Sequence, residues 1–277
     1  HGQSYGECAV PKDVYPNLWT NVILPHPEES TAYTSFIMSH MLQIAEYLGK
    51  TEDIPLYKEY RDGCKEAYRE LVHLPSHSLD TNRQAKLVRP LYMHLLDEKD
   101  EKYAKERLIK ALEDYGWRLG TGFLSTPFIL YVLSDINTEY SYKLLENEEM
   151  PGWLYMTKNG ANTIWESWEG TSAQSGIASL NHYSKGAVVE WLFDSMCGIR
   201  IKGENEFDIS PEPGGHFRFA QAKYDSEYGR VESGWEKKEG KVIYHISVPS
   251  NTKAYVKLPK GREEILTSGD YVFEETL

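Results

Sequence analysis

Indole rings set beside carboxylates are the chemistry that stands out in this sequence. Residues 151–198 hold Trp153, Trp165, Trp168 and Trp191, with Trp165-Glu166-Ser167-Trp168-Glu169 at their centre and Asn181-His182-Tyr183 shortly after. A flat aromatic face covers the C–H face of a sugar, while a carboxylate handles its hydroxyls or its reacting carbon, so the combination suits a carbohydrate site. Glu166 and Glu169 lie three residues apart; on a helical turn they share a face, and in an extended segment they point to opposite sides. Both conformations remain open to them. The competing reading makes Trp165, Trp168 and Trp191 core packing, the two glutamates a solvated edge, and His182 a helix cap or a satisfied core histidine.

The elements that must position these residues read as helices first and strands afterwards. From Ser30, a capping residue, Tyr33, Phe36, Ile37, Met41, Ile44 and Leu48 form one stripe at three and four spacing, and Gly49 ends it. Thr51 caps a second helix, with Pro55 in its first turn and Tyr57, Tyr60, Cys64, Ala67, Tyr68 and Leu71 along one side. Further helical patterns run over about 83–97 and 100–115, from Thr126-Pro127 to Leu133, from Thr138 to Leu145, and from about Ser184 to Met196. After Ile199 the apolar period changes from 3.6 to 2. Phe207-Asp-Ile209, His216-Phe-Arg-Phe219, Arg230-Val-Glu232, Lys241-Val-Ile-Tyr-His-Ile-Ser-Val248 and Thr252-Lys-Ala-Tyr-Val-Lys-Leu258 are β-rich blocks between turn sequences. The expected fold class is therefore α+β and multidomain, with helical hairpins over 1–198 and a small all-β sandwich over 199–277.

Composition narrows the function. A chain of 277 residues with 40% hydrophobic and 26% charged residues can bury a sizeable core. A net charge of -12 argues against a nucleic-acid surface, and no apolar run reaches the roughly 18 residues of a membrane-spanning helix. Cys8, Cys64 and Cys197 lack metal-ligand spacing, and the histidines are scattered singly, so neither a metal nor a cofactor is expected.

The stretch Pro-Gly-Trp153-Leu-Tyr-Met-Thr-Lys-Asn-Gly-Ala-Asn-Thr-Ile-Trp165-Glu-Ser-Trp-Glu-Gly170, followed by Ser179-Leu-Asn-His-Tyr-Ser-Lys-Gly-Ala-Val-Val-Glu-Trp191, closely resembles the bacterial α-L-rhamnosidases, family 78 of the glycoside hydrolases. Gly120-Thr-Gly-Phe-Leu-Ser-Thr-Pro127 and Tyr224-Asp-Ser-Glu-Tyr-Gly-Arg230 resemble further landmarks of that family in the same order. The resemblance implies a six-hairpin α/α toroid, here its later half, followed by a C-terminal β domain, and an inverting hydrolysis that releases terminal α-L-rhamnose. Glu166 matches the family's general base and His182 a histidine that hydrogen-bonds rhamnose hydroxyls; Trp165 and Trp168 are then expected to shield the base and pack against the sugar. Gly6-Glu7-Cys8 stands where the family carries Gly-Asp-Trp, which keeps Glu7 as a candidate sugar contact with one extra methylene and removes the aromatic wall.

One half of the catalytic pair is missing from this picture. An inverting glycosidase holds its two carboxyl groups about 6.5–9.5 Å apart, one as acid and one as base. The family's acid lies in a sequence like Asp-Cys-Pro-x-Arg-x-Glu, and none occurs here. With a first residue that is not Met, the chain reads as a truncated enzyme that is inactive or weakly active alone and self-associates through exposed barrel surface. The expected partners are rhamnose-containing glycosides or oligosaccharides. Two other readings stand beside this one: a non-catalytic carbohydrate-binding or structural fragment, and another six-hairpin glycosidase such as an unsaturated uronyl hydrolase, whose acidic substrate calls for an Arg cluster that the Trp-Glu segment lacks.

Overall fold

The computed structural model describes residues 26–172 and 178–277. Helices fill the first part: α1 (Pro27–Tyr47), α2 (Ile54–Leu71), α3 (Gln84–Tyr92), α4 (Glu98–Asp114), α5 (Ile129–Ile136), α6 (Thr138–Leu145) and α7 (Trp153–Lys158), then the short turns α8 (Tyr183–Gly186) and α9 (Val188–Trp191). Two compact units are formed. One takes the described residues through Ile136 together with Asn147–Lys185; the other takes Asn137–Glu146 and Gly186–Leu277.

In the first unit the helices pair in sequence order, α1 with α2 and α3 with α4, while α3 also meets α5. Short connections bring consecutive helices side by side. Several starts differ from the sequence pattern. Helix α1 begins at Pro27 rather than Ser30, because proline is preorganised for the first turn and Glu28 and Glu29 complement the N-terminal dipole. Helix α2 begins after Asp53 rather than Thr51, with Pro55 in its first turn as expected. Thr126-Pro127 lies in a turn before α5, where the Thr126 hydroxyl donates to the Gly122 carbonyl at 2.7 Å. The pattern over about 83–97 yields only α3, which stops at Tyr92, while that over about 100–115 is α4: Asp97 caps it by accepting from the Asp100 amide at 2.9 Å, and Ala104, Leu108, Ala111 and Leu112 are buried. Helix α1 ends as expected at Gly49, whose φ of +67° lets its amide reach the Glu46 carbonyl and that of Lys50 the Ala45 carbonyl.

The apolar stripe expected on α1 is not its buried face. Ala32, Ser35, Leu42 and Ala45 are buried, whereas Ile37, Ile44 and Leu48 are exposed, as are Leu56 and Tyr60 of α2. Small residues let α2 approach closely enough for the Ser35 hydroxyl to donate to the Arg61 carbonyl at 3.1 Å. Beneath α1 lies a buried charged group: Arg89 is 3.4 Å from Glu29 and donates to the Ser125 hydroxyl at 3.3 Å, while Glu28 pairs with His77 at 3.3 Å. Buried charges persist only when paired in this way.

In the second unit, α6 is capped by Asn137, which accepts from the Glu139 amide at 3.0 Å, so Thr138 is the first helical residue and not the cap. The helix expected over 184–196 is broken into α8, α9 and a π-turn at Leu192–Met196. Eight strands follow: β1 (Ile199–Gly203), β2 (Glu206–Ile209), β3 (Phe219–Ser226), β4 (Gly229–Lys238), β5 (Lys241–Val248), β6 (Lys253–Lys257), β7 (Glu263–Leu266) and β8 (Gly269–Thr276). They make two four-stranded sheets, ordered β1-β2-β6-β7 and β3-β4-β5-β8. All neighbours are antiparallel except β2 and β6, and the chain between that parallel pair passes through the other sheet. Alternation puts Val242, Tyr244, Ile246 and Val248 of β5 on one buried side, with Phe207, Ile209, Ala254 and Val256 buried in the other sheet. On β4, the Trp235 indole donates to the Met196 carbonyl at 2.8 Å and the Ser233 hydroxyl to the Cys197 carbonyl at 2.5 Å, tying the π-turn to the sheet.

Candidate active site

The Trp-Glu segment is neither helix nor strand. Residues 165–169 pass through a bend and a turn into a single 3-10 turn at Gly170–Ser172, so Glu166 and Glu169 do not share a regular face. What holds the segment is the returning chain. The Glu166 amide donates to the Ser179 carbonyl at 2.9 Å, and the His182 amide to the Ile164 carbonyl at 2.8 Å. In return the Ser179 amide donates to Glu166 Oε2 at 2.9 Å, which fixes the direction of the half-buried carboxylate.

Both indoles of the segment are buried. Trp165 lies against Gly170, which has φ +52°; a Cβ there would come within 2.1 Å of the indole Cε3. Trp168 meets Trp153 edge to face, with centroids 6.4 Å apart and an interplanar angle of 81°. Its Nε1 is buried with no hydrogen-bond partner among the described residues. These rings form a floor beneath the Glu166 loop.

His182 stands at the start of α8 in a column of rings. Its imidazole stacks on Phe123 at 4.7 Å and on Tyr183 at 5.1 Å, with interplanar angles of 20° and 14°. His182 Nδ1 lies 2.9 Å from the Ser184 hydroxyl and accepts from the Ser184 amide at 3.3 Å, so Ser184 holds that edge of the ring. Phe123 is delivered by a loop that α1 and α3 anchor. Gln84 accepts from the Gly120 amide at 2.7 Å and donates to the Arg118 carbonyl at 2.9 Å, while the Tyr33 hydroxyl donates to the Leu124 carbonyl at 2.6 Å.

Lys185 closes the group from below. Its Nζ donates to the Glu166 main-chain carbonyl and lies 4.4 Å from the Trp168 ring centroid and 5.3 Å from that of Phe123. The Lys185 carbonyl in turn accepts from the Trp153 indole at 2.9 Å. Burial pushes its amine down to about 7, against the opposing pull of Glu166 and Glu169. Among the described residues, no group of three or more His, Cys, Asp or Glu side chains could hold a metal ion.

The model of the bacterial α-L-rhamnosidase six-hairpin glycosidase domain matches residues 26–196, and that of the bacterial α-L-rhamnosidase C-terminal domain matches residues 202–273. This chain belongs to the bacterial α-L-rhamnosidase family. The α-L-rhamnosidase of Streptomyces avermitilis is 31% identical to it, over 96% of this chain and 27% of the relative's length. One from Formosa agariphila is also 31% identical, over 90% of this chain and 29% of its own. Among solved structures, the Streptomyces avermitilis α-L-rhamnosidase complexed with L-rhamnose superposes with a TM-score of 0.85 at 27% identity, over 100% of this chain and 28% of that one. The native Aspergillus terreus enzyme gives 0.81 at 26%, over 89% and 30%. The chain thus spans little more than a quarter of the length of the curated relatives it matches.

Within the rhamnosidase fold the architecture is the one expected, a six-hairpin glycosidase domain followed by a C-terminal domain of largely antiparallel sheets. Four of the candidate site residues, Trp165, Glu166, Trp168 and His182, lie in two stretches that hydrogen-bond to each other; Glu7 lies outside the described residues. Sequence reasoning missed Lys185 and the placement of Phe123. A lysine inside a run of motif residues was the available signal for the first. Nothing in the local pattern marks the second, because its partner is 59 positions away (182 − 123).

Proposed function

We propose that this chain carries the general-base side of an inverting α-L-rhamnosidase, acting on terminal α-L-rhamnose in glycosides or oligosaccharides. The observation that carries the reading is Glu166: a half-buried carboxylate on the matched Trp-Glu segment, one oxygen held by the Ser179 amide, over a floor of buried indoles. Such a carboxylate accepts a proton from the water that attacks the anomeric carbon. The His182 imidazole hydrogen-bonds sugar hydroxyls, and Trp165 and Trp168 limit water around the base. A related structure is described as complexed with L-rhamnose, which supports that sugar as the ligand. The start of β1 at Ile199 supports the division into 1–198 and 199–277, although the compact units group Asn137–Glu146 and the residues from Gly186 with the strands; the exposed Ile37, Ile44, Leu48, Leu56 and Tyr60 support self-association through α1 and α2.

Two measurements on residues 1–277 test this: L-rhamnose binding followed by tryptophan emission, and aryl release from an aryl α-L-rhamnoside, each with Glu166→Gln alongside. The expected result is weak binding that the amide retains, and little turnover, because the sequence lacks the Asp-Cys-Pro-x-Arg-x-Glu acid motif. Whatever turnover is seen should fall by about 10² or more in Glu166→Gln. Turnover within a factor of a few of the parent would exclude Glu166 as the base. Strong turnover that the amide abolishes would show that a carboxylate of this chain, Glu169 or Glu7, serves as the acid. A complete lack of L-rhamnose binding would remove the substrate class.

A further inference from the structure

Lys185 sits where its chemistry is disfavoured. The residue is 0% exposed, indole and phenyl rings face its ammonium, and taking an ammonium ion out of water is costly even after relaxation. A methionine would fill the same volume without that cost. The charge must therefore be compensated locally, and three contacts do so: the Glu166 carbonyl, the face of Trp168 and the face of Phe123. Glu166 and Glu169 are the carboxylates whose field reaches it, and both favour its protonated form.

These contacts converge on the two groups that the proposed function uses. Glu166 is reached through its own main chain, and His182 through Phe123, the ring on which its imidazole stacks. We propose that Lys185 is a positioning residue of the rhamnose site: its buried ammonium clamps the Glu166 main chain to Trp168 and Phe123, and so holds the carboxylate and the imidazole in one binding-competent arrangement. The proposal rests on the rhamnosidase reading of the site. It has a consequence that mere packing lacks. Loss of the ammonium proton removes the cation–π attraction and weakens the hydrogen bond to the Glu166 carbonyl, so the arrangement loosens as pH rises through the lysine's ionisation, which burial has brought to about 7. The amine is then a switch set by the same burial that makes it costly.

The test is L-rhamnose affinity of residues 1–277 from pH 5.5 to 9 at fixed ionic strength, read by tryptophan emission, for the parent, Lys185→Met and His182→Gln. His182 is the other titratable group of the ring column, and its removal separates its own protonation from that of the lysine. The parent should lose about tenfold in affinity toward alkaline pH, the size expected for one desolvated cation–π contact. His182→Gln should bind more weakly overall and keep the alkaline fall. Lys185→Met should bind about tenfold more weakly than the parent at pH 6 and show no alkaline fall. Parent-like affinity and pH dependence in Lys185→Met would overturn the proposal and leave the rhamnosidase reading intact. If that variant does not fold by circular dichroism, the His182→Gln profile decides alone, and a flat alkaline limb there overturns it. No L-rhamnose binding by the parent at any pH would overturn the functional reading, and this proposal with it.

Discussion

Replacing Gly170 by alanine should disrupt the floor of the site from outside the Trp-Glu segment itself. Gly170 has φ +52°, and an added Cβ would stand 2.1, 2.3 and 2.5 Å from Cε3, Cζ3 and Cδ2 of the buried Trp165 ring. No rotation of the methyl relieves such contacts; the indole must move. The left-handed backbone costs a non-glycine residue about 1–2 kcal/mol, and forcing a packed side chain aside adds about 1–3 kcal/mol, so the total is about 2–5 kcal/mol. Gly160 supplies the control. It has φ +80° with nothing within 4 Å of an added Cβ, so Gly160→Ala carries the backbone cost alone. Urea denaturation followed by far-ultraviolet circular dichroism gives both values, and their difference of about 1–3 kcal/mol isolates the indole contact. Tryptophan emission should shift in Gly170→Ala and stay unchanged in Gly160→Ala. Equal destabilisation by the two substitutions would refute the claim that Gly170 is kept small by Trp165.

The other predictions concern the buried lysine and the sheet contacts. Since the Lys185 amine ionises at about 7 in the native protein and at its ordinary 10.5 when unfolded, the unfolded chain binds more protons between those values, and stability should rise with pH relative to Lys185→Met by up to ~1.4 kcal/mol per unit. Below about 7 the full burial penalty is present; urea titrations at pH 6, 8 and 9.5 measure the trend, and a falling or level difference contradicts it. Trp235→Phe removes the donor to the buried Met196 carbonyl and should cost about 1–3 kcal/mol by the same method, with Ser233→Ala giving a similar loss at Cys197. Losses below about 0.5 kcal/mol in both would show that water replaces these donors.

Much of this protein was written in its local sequence. The α4 repeat, the Gly49 stop and the alternation of β5 each depend on residues within a few positions of one another, where period and capping chemistry suffice. The Trp-Glu and Asn-His-Tyr sequences likewise carry the likeness to the rhamnosidase family, with Glu166 and His182 as the candidates within them. Tertiary structure decided the rest, because it turns on which surface a neighbour covers. The large apolar residues of α1 looked like its core face, yet Ala32, Ser35, Leu42 and Ala45 are the buried ones, and the small Ser35 hydrogen-bonds to α2. The Trp-Glu segment has no periodicity of its own; its shape comes from hydrogen bonds to Ser179 and from Gly170 yielding to an indole. Lys185 reads as a solvated charge in any local window, and only the convergence of Trp168, Phe123 and the Glu166 carbonyl around its ammonium makes it part of the site.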